Sequence, residues 1–521
     1  MKLSESLKNF WRKKSPVFKW QISGHFPSQP FHRPIDPWKG NLQNGHFVYK
    51  EHPKDLSLNY WQSLDWLRDL RELKNENARL KSRELYQKWI DENSKWSPES
   101  WTPYLTSKRL SNTILCYGSF ADTGGNDFQD SLLKIFANQA RCLELDLRLI
   151  SSGHNKISAL VGIIAGRVCL TPVKSEIVKA IRLIIDEIKK YINSEGMHIS
   201  RQPQLQIETL RTLVEVRSLA LSSTPSERSV LDELIYKMTT SAKIYCHNDG
   251  SIGNFNGACN FSLEKINETI SKTEFSVRNS SRISKDGMAK IISKNSSILL
   301  DCGNVKRNWP NWQAGTLSFE FCHGKQLIII NSGYLSNNQN WSKALKGTFA
   351  HSTLTIDNRN SSSISFGNNF IQTAKIVESY IQKVEDGILV FGKHNGYFKS
   401  HGIYHERKIL INKDGNAIIG EDTLSHNGNP GLIAIEGILR FHIHPSVKAS
   451  KLLSENVLLK TTSGLAWIFK SNSAGLKIED SIYIKDLKPV KCQQIVIVFS
   501  LKNLQNSGSL KFNWELFKNV V

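Results

Sequence analysis

Several groups of residues in this chain carry side chains able to move protons or hold ions. His351 stands in Ala350-His-Ser-Thr-Leu354, with Asp357 and Arg359 a few residues on. A histidine among small polar residues at the start of a strand can act as acid, base or ligand. It can equally be a hydrogen-bonded structural residue. Lys393-His-Asn-Gly-Tyr397 is followed by His401, His405 and Arg407. Tyrosine and imidazole side by side suit proton abstraction and return; the alternative is a loop and strand with solvated polar groups. His442-Ile-His444 puts two imidazoles on one face of a strand, as a metal pair requires. No third ligand lies nearby, and a structural pair is the other reading. In the first half, Gly153-His154-Asn155 and Glu195-Gly-Met-His198-Ile-Ser-Arg201 offer amide, imidazole and guanidinium groups that can neutralise a carboxylate. Phosphate-loop, dinucleotide-binding and serine-nucleophile motifs are absent from the sequence.

These groups lie on elements of two kinds. From about residue 55 to 245 the apolar period is helical. Ile177, Ala180, Ile181, Ile184, Ile185 and Ile188 form the stripe of an amphipathic helix, with Thr171-Pro172 as its expected start. Thr224-Pro-Ser-Glu227 reads as a capping box before Leu231, Leu234, Ile235 and Met238. Further helices are expected over Trp61–Leu73, Ala78–Glu92, Gln129–Ser151 and Ile207–Ser222, about eight in tandem without intervening strands. From about residue 275 the period is two. Gln326–Asn331, Ser352–Asp357, Gly387–Phe391 and Gln494–Phe499 read as strands, and Lys413-Asp-Gly-Asn416 as the turn of a hairpin between Arg407–Asn412 and Ala417–Glu421. Helices first and strands second imply separate all-α and antiparallel all-β domains, joined near Asp249–Asn260.

The 521 residues are 40% hydrophobic and 22% charged, which excludes wholesale disorder and a multi-span membrane protein. Lys+Arg number 68 against 47 Asp+Glu, a net charge of +21. Such a field attracts polyanions; a composition rich in Lys, Asn and Ile also produces it by drift, since the lysines are spread along the chain. No nucleic-acid-binding motif accompanies the charge. The eight cysteines form no CxxC pair, so no zinc ribbon or thioredoxin motif exists, and most sit in apolar runs as small buried hydrophobes. Residues 1–20 carry Phe10, Trp11, Phe18 and Trp20 among cations but no apolar signal core. Contact of this segment with a membrane surface is one reading and packing on the domain the other. Without a visible signal the compartment expected from sequence is the cytoplasm, or the periplasm after export by another route.

Taken in order, Asp36-Pro-Trp38, Leu67-Arg-Asp-Leu70, Gly196-Met-His-Ile-Ser-Arg201, Asp249-Gly-Ser-Ile-Gly-Asn-Phe-Asn-Gly257, Gly315-Thr-Leu-Ser-Phe-Glu320, Ala350-His-Ser-Thr-Leu354 and His394-Asn-Gly-Tyr397 resemble the bacterial heparinase II/III-like family over nearly the whole chain. The resemblance implies an incomplete α/α toroid at residues 55–265, after an extension at 1–54, and an antiparallel β-sandwich domain at 275–521. It also implies cleavage of uronic-acid polysaccharides by β-elimination. Applied residue by residue, His351, Tyr397 and His405 become the candidates for proton transfer. His154, Asn155, His198, Arg201 and Arg407 become the candidates for binding the substrate's carboxylate or sulfate.

The sequence departs from the family at Leu205 and Gln206, where a Tyr-His pair is expected, and His154-Asn155 stands for an Asn-His pair. Gln313-Ala314-Gly315 stands for a His-Ala-Asp element and Asn331 for an aspartate, which removes two of the usual zinc ligands and leaves His351. The expectation is therefore no bound zinc and no other cofactor. The partner is an acidic polysaccharide, either cleaved or, if catalysis is lost, only held. The oligomeric state stays open.

Overall fold

The computed structural model describes residues 11–221, 224–258, 261–305, 309, 311–363, 372–426, 433–473, 475–502 and 504–519. Two compact units emerge. The first comprises Met1–Tyr191 with Thr209–Ile235, the second Ile192–Glu208 with Tyr236–Val521.

The first unit is helical. Its helices Glu76–Asn93, Pro103–Phe120, Asn126–Asp146, His154–Leu170 and Lys174–Lys189 follow one another, and consecutive members pack together. The stripe predicted from Ile177 to Ile188 is buried as expected. Its helix starts at Lys174 rather than at the Thr171-Pro172 signal, because Thr171 Oγ1 accepts from the Val173 amide 3.1 Å away and holds a local turn instead. The Thr224 capping box does not form either. The Thr224 hydroxyl donates back to the Ala220 carbonyl, Pro225–Glu227 is a 3-10 turn, and the helix proper is Arg228–Tyr245. The helix expected over Trp61–Leu73 is broken at Leu64, which is left-handed at φ 59°, into Leu58–Ser63 and Trp66–Arg71.

Two of the family-like motifs staple this unit. Asp36 accepts from Arg68 Nε at 2.7 Å and Arg71 Nη1 at 2.8 Å, and Trp38 Nε1 donates to Glu215 at 2.9 Å. Near the start of the chain, Phe18 is buried and Lys13 pairs with the buried Asp146, whereas Trp11 and Trp20 face solvent. Among the described residues no helix is long and apolar enough to cross a membrane.

The second unit holds two antiparallel sheets, of nine and eight strands. Their inner faces merge into one core that takes Ile298, Phe319, Phe321 and Phe441 from one sheet and Ile409, Phe469, Trp467 and Trp514 from the other. Phe319 and Trp514 stack across it at 5.4 Å. The predicted hairpin is present. Ile403–Asn412 pairs with Ala417–His426 in the register Ile411↔Ile418, and Gly415 supplies the turn's positive φ of 65°. His351 does not begin a strand; it caps the 3-10 turn Thr348–Ala350, and the strand is Leu354–Ile356. Residues 192–208, a loop and the first turns of helix Pro203–Leu221, belong with these sheets through their own bonds. Arg201 pairs with Asp301, Gln202 Nε2 donates to the Gly257 carbonyl at 2.7 Å, and Gln206 Nε2 donates to the Met238 carbonyl at 2.9 Å.

Candidate active site

His351 is 1% exposed and sits where three segments converge. Its Nδ1 lies 2.9 Å from the Gly347 carbonyl. A carbonyl only accepts, so the ring proton is on Nδ1 and Nε2 is a bare lone pair. That Nε2 has no partner in the structure. Burial lowers the imidazole to a pKa of about 4, so it is neutral at ordinary pH. Glycine at 315 makes room for the ring, since a Cβ there would lie 2.7 Å from His351 Cδ2 and 3.0 Å from Nε2.

Asn331 stands beside it. Its Oδ1 accepts from the Ser352 amide at 2.9 Å, while its Nδ2 is buried without a partner. Asn331 thus holds the residue that follows His351, and each of the two side chains keeps one buried polar atom without a partner. Glu320 fixes this corner, accepting from the amides of Asn331 at 3.0 Å and Asn254 at 3.1 Å through Oε1 and meeting His247 Nε2 at 2.7 Å through Oε2.

The zinc implied by the family does not fit these donors. Position 315 has no side chain, position 331 offers a neutral amide whose oxygen is already engaged, and His351 would be left as a lone ligand. Gln313 is saturated as well. Its Nε2 donates to the carbonyls of Gly333 and Leu345 at 3.0 and 2.8 Å, and its Oε1 accepts from the Gly257 amide at 2.9 Å. His442 and His444 make no metal pair either. His442 Nδ1 meets Ser481 Oγ at 2.7 Å and its Nε2 the Phe349 carbonyl at 3.0 Å, and His444 Nδ1 meets Ser446 Oγ at 2.7 Å. Among the described residues no three His, Cys, Asp or Glu side chains converge on a metal position.

His198 and Arg201 share the loop that precedes helix Pro203–Leu221. Gln206, in place of the expected Tyr-His pair, accepts from the His198 amide at 2.7 Å and donates to the Gly196 carbonyl at 2.9 Å. It is an amide bracket that sets the loop's shape. His198 Nδ1 meets Ser200 Oγ at 2.7 Å, and burial lowers its pKa to about 4. Arg201 is left-handed at φ 57° and nearly fully buried; its Nη1 donates to Asp301, and its Nε is unpartnered. Asn256 completes the clasp by donating to Asp301 Oδ2 at 3.2 Å. His154 and Asn155 belong to the other unit, where they are exposed in the first turn of helix His154–Leu170.

Tyr397, His405 and Arg407 lie inside the sandwich, as buried as His351, but unlike its Nε2 their polar groups are engaged by other protein groups. Tyr397 Oη donates to the Leu354 carbonyl at 2.7 Å, and burial pushes its pKa well above the usual tyrosine value. His405 belongs to a closed relay. The Gly396 amide donates to His394 Nδ1 at 2.9 Å, so His394 carries its proton on Nε2 and donates to His405 Nδ1 at 3.1 Å. His405 Nε2 then donates to Asp422 Oδ1 at 2.7 Å. Arg407 grips the same carboxylate through Nε at 2.8 Å and Nη2 at 3.2 Å, and Trp514 Nε1 adds a third donor at 2.9 Å. Burial alone would raise the carboxyl of Asp422, but Arg407 and His405 overcome it and hold its pKa far below the usual carboxylate range. Arg407 Nη1 also donates to the carbonyls of Leu317 and Ser352, both at 2.8 Å, so it positions the segment next to His351.

Sequence reading missed Asp422, Glu320 and the amide of Asn331 as partners. Each acts across strands, and alternation within one strand carries no signal for that.

The buried neutral histidines give the protein a defined acid response. Burial lowers His198 and His351 to about 4 and His442 to about 3. The unfolded value is about 6.5. A group depressed on folding takes up protons more readily when unfolded, so its contribution is complete above about pH 6.5 and is lost as pH falls toward the folded values. Melting temperature should therefore decline steadily from about pH 6.5 to about pH 4. A flat profile over that interval would show that these imidazoles titrate normally.

Residues 276–515 match the family described as Heparinase II/III-like, C-terminal. Among solved structures the chain is similar to the heparan sulfate lyase HepC from Pedobacter heparinus, with 14% identity, a TM-score of 0.65, and coverage of 88% of this chain and 76% of that one. It is also similar to a heparinase III, with 15% identity, a TM-score of 0.67, and coverage of 90% and 79%. No curated protein sequence matches the chain. The fold expected from sequence, a helical region followed by an antiparallel β-sandwich, is thus the fold of these structures, and residues 276–515 carry the heparinase II/III-like C-terminal domain.

Proposed function

We propose that this protein is a polysaccharide lyase that cleaves uronate-containing acidic glycans of the heparan sulfate type by β-elimination. The observation that carries the reading is His351 Nε2, a neutral imidazole lone pair held by Gly347 and left without a partner. In the elimination, the base takes the proton at C5 of the uronate, the C–H electron pair becomes the C4–C5 double bond, and the C4–O bond breaks with its electron pair on the leaving sugar's oxygen, which takes a proton from water. His351 is the base. The amide Nδ2 of Asn331 is the hydrogen-bond donor for the uronate carboxylate, which gains electron density as the proton leaves. Arg407 positions the Ser352 backbone beside the base. His198 and Arg201 shape a neighbouring loop, and His154 and Asn155 are kept as glycan-binding candidates of the helical unit. The names of the similar structures and the net charge of +21 support the substrate class.

A second reading rests on the leaving-group side. Tyr397 spends its hydroxyl on Leu354, and Gln206 fills the place of the Tyr-His pair, so a chain that holds acidic glycan without cutting it is the alternative. One experiment separates the two. Heparan sulfate, heparin, unsulfated heparosan, alginate and a neutral glucan are incubated with the protein, and the ultraviolet absorbance of unsaturated uronate is followed. Absorbance rising with one or more uronate polymers and not with glucan is the expected result. Salt-sensitive retention on heparin with no absorbance from any polymer would leave the binding reading alone.

A further inference from the structure

A separate pocket of the sandwich unit has the chemistry of a sugar site. It has a volume of about 560 Å³, within the range of small-ligand pockets; Ser332, Ala350 and His442 among its walls make it a neighbour of the His351 corner, but His351, Tyr397, His405 and His198 do not line it. Trp341 and the 47% exposed Phe349 form aromatic walls, and Asn358, Arg440 and Gln494 bring polar groups into the same space.

Two of these polar groups are incompletely matched. Arg440 is half-buried on strand Glu436–Ile443, where Nη1 donates to Thr355 Oγ1 at 2.6 Å. Among the described residues no carboxylate is close enough to form an ion pair with it; Glu479 and Glu436 act on it only at longer range. A guanidinium withdrawn from water without an anion is costly, and a bound carboxylate or sulfate removes that cost. Gln494 is the second. Its Nε2 is turned toward Glu479 Oε2 at 3.4 Å and the Asp480 carbonyl at 3.5 Å, while its Oε1 is buried without a partner. An unmatched acceptor and a guanidinium without a carboxylate, both on the lining of one pocket, suit a sugar that presents a hydroxyl and an acid group. Flat aromatic walls suit the apolar face of its ring. Asp480 also lines the pocket and sets a limit, because it disfavours a densely charged ligand.

We propose that this pocket is a second glycan-binding site, which takes one uronate-bearing sugar unit with its carboxylate on Arg440 and its ring against Trp341. The proposal rests on the acidic-glycan reading above and extends it to a holding site outside the catalytic corner. Such a site keeps a long polymer attached between cleavage events by raising its effective concentration.

The test uses the full chain and a heparosan tetrasaccharide, with a neutral glucan tetrasaccharide as control, and reads binding by calorimetry. Every protein carries His351→Ala, so that the tetrasaccharide is not cleaved during the measurement. Arg440→Gln should weaken heparosan binding by about tenfold or more, the loss of a charge-assisted hydrogen bond, and Trp341→Ala should weaken it comparably. In the background with native His351, neither change should alter turnover of a short substrate, while both should raise the polymer concentration needed for half-maximal rate. Trp341→Ala does not touch the Thr355 bond, so it stands as a test even if Arg440→Gln disturbs folding. Unchanged heparosan affinity in both variants overturns the second site and leaves the lyase reading intact wherever native protein still cleaves. Native protein that neither binds nor cleaves heparosan overturns both. Equal binding of the neutral tetrasaccharide also counts against the site.

Discussion

Replacing Asp422 by alanine is expected to destabilise the protein by about 3–5 kcal/mol, the usual penalty for leaving a buried charge without its partner. The carboxylate accepts from Arg407, His405 and Trp514 in a region with almost no solvent access. Without it the guanidinium is buried unpaired, and the imidazole and indole donors lose their acceptor. Asp422→Asn should be milder, because one amide oxygen still accepts while the charge and one acceptor are lost. Arg407→Ala should approach the cost of Asp422→Ala, and the double variant should cost less than the sum, since the two side chains share one interaction. Urea unfolding of the four proteins measures this. A loss below about 1 kcal/mol for Asp422→Ala would mean that water reaches the cluster and screens it. The acid side follows the same logic. Asp422 is depressed on folding, so its contribution is present above the unfolded carboxyl value of about 3.9 and is lost only as pH falls through the much lower folded value.

That cluster also shows what a single sequence can and cannot reveal. His405 and Arg407 were visible as titratable groups on an alternating run, and alternation placed them on one face of a strand. Which face, and against what, depends on Asp422, which lies 17 residues beyond His405 across a hairpin. The hairpin was legible from Asp414-Gly415, but counting the register from it would have been needed to turn two candidate site residues into a structural cluster. The helices missed by period, Pro103–Phe120 and His154–Leu170, are buried on nearly all sides. A helix without a polar face has no 3.6-residue contrast to detect. Conversely, the strong stripe at Ile177–Ile188 was found because its opposite face is wet. His351 was singled out from its small polar neighbours alone. Its distinguishing surroundings, glycine at 315 and the amide at 331, come from the segments before strand Phe319–His323 and after strand Gln326–Ile330, 20 or more residues away, and nothing in the local pattern points to them.

His351→Ala is expected to reduce glycan cleavage by about 100-fold to 10,000-fold, the range for removing a positioned general base. The stability cost should be modest. The ring makes one hydrogen bond, to the Gly347 carbonyl, and losing a buried partner costs about 1–3 kcal/mol. In a chain of this size that moves the melting temperature by only a few degrees. A structural histidine predicts the opposite pattern: a large fall in melting temperature with the activity per folded molecule unchanged. Gly315→Ala offers an independent route to the same group. Its Cβ would lie 2.7 Å from Cδ2 of His351, so the ring must move, while the backbone at 315 gains only a methyl group. If Nε2 is the base, this substitution should also depress the cleavage rate strongly and leave binding of the polymer nearly intact. Rate loss in both variants with preserved heparin retention fits a base displaced from its working position. Full activity in Gly315→Ala, with the ring shown to have moved, would place proton abstraction on another side chain.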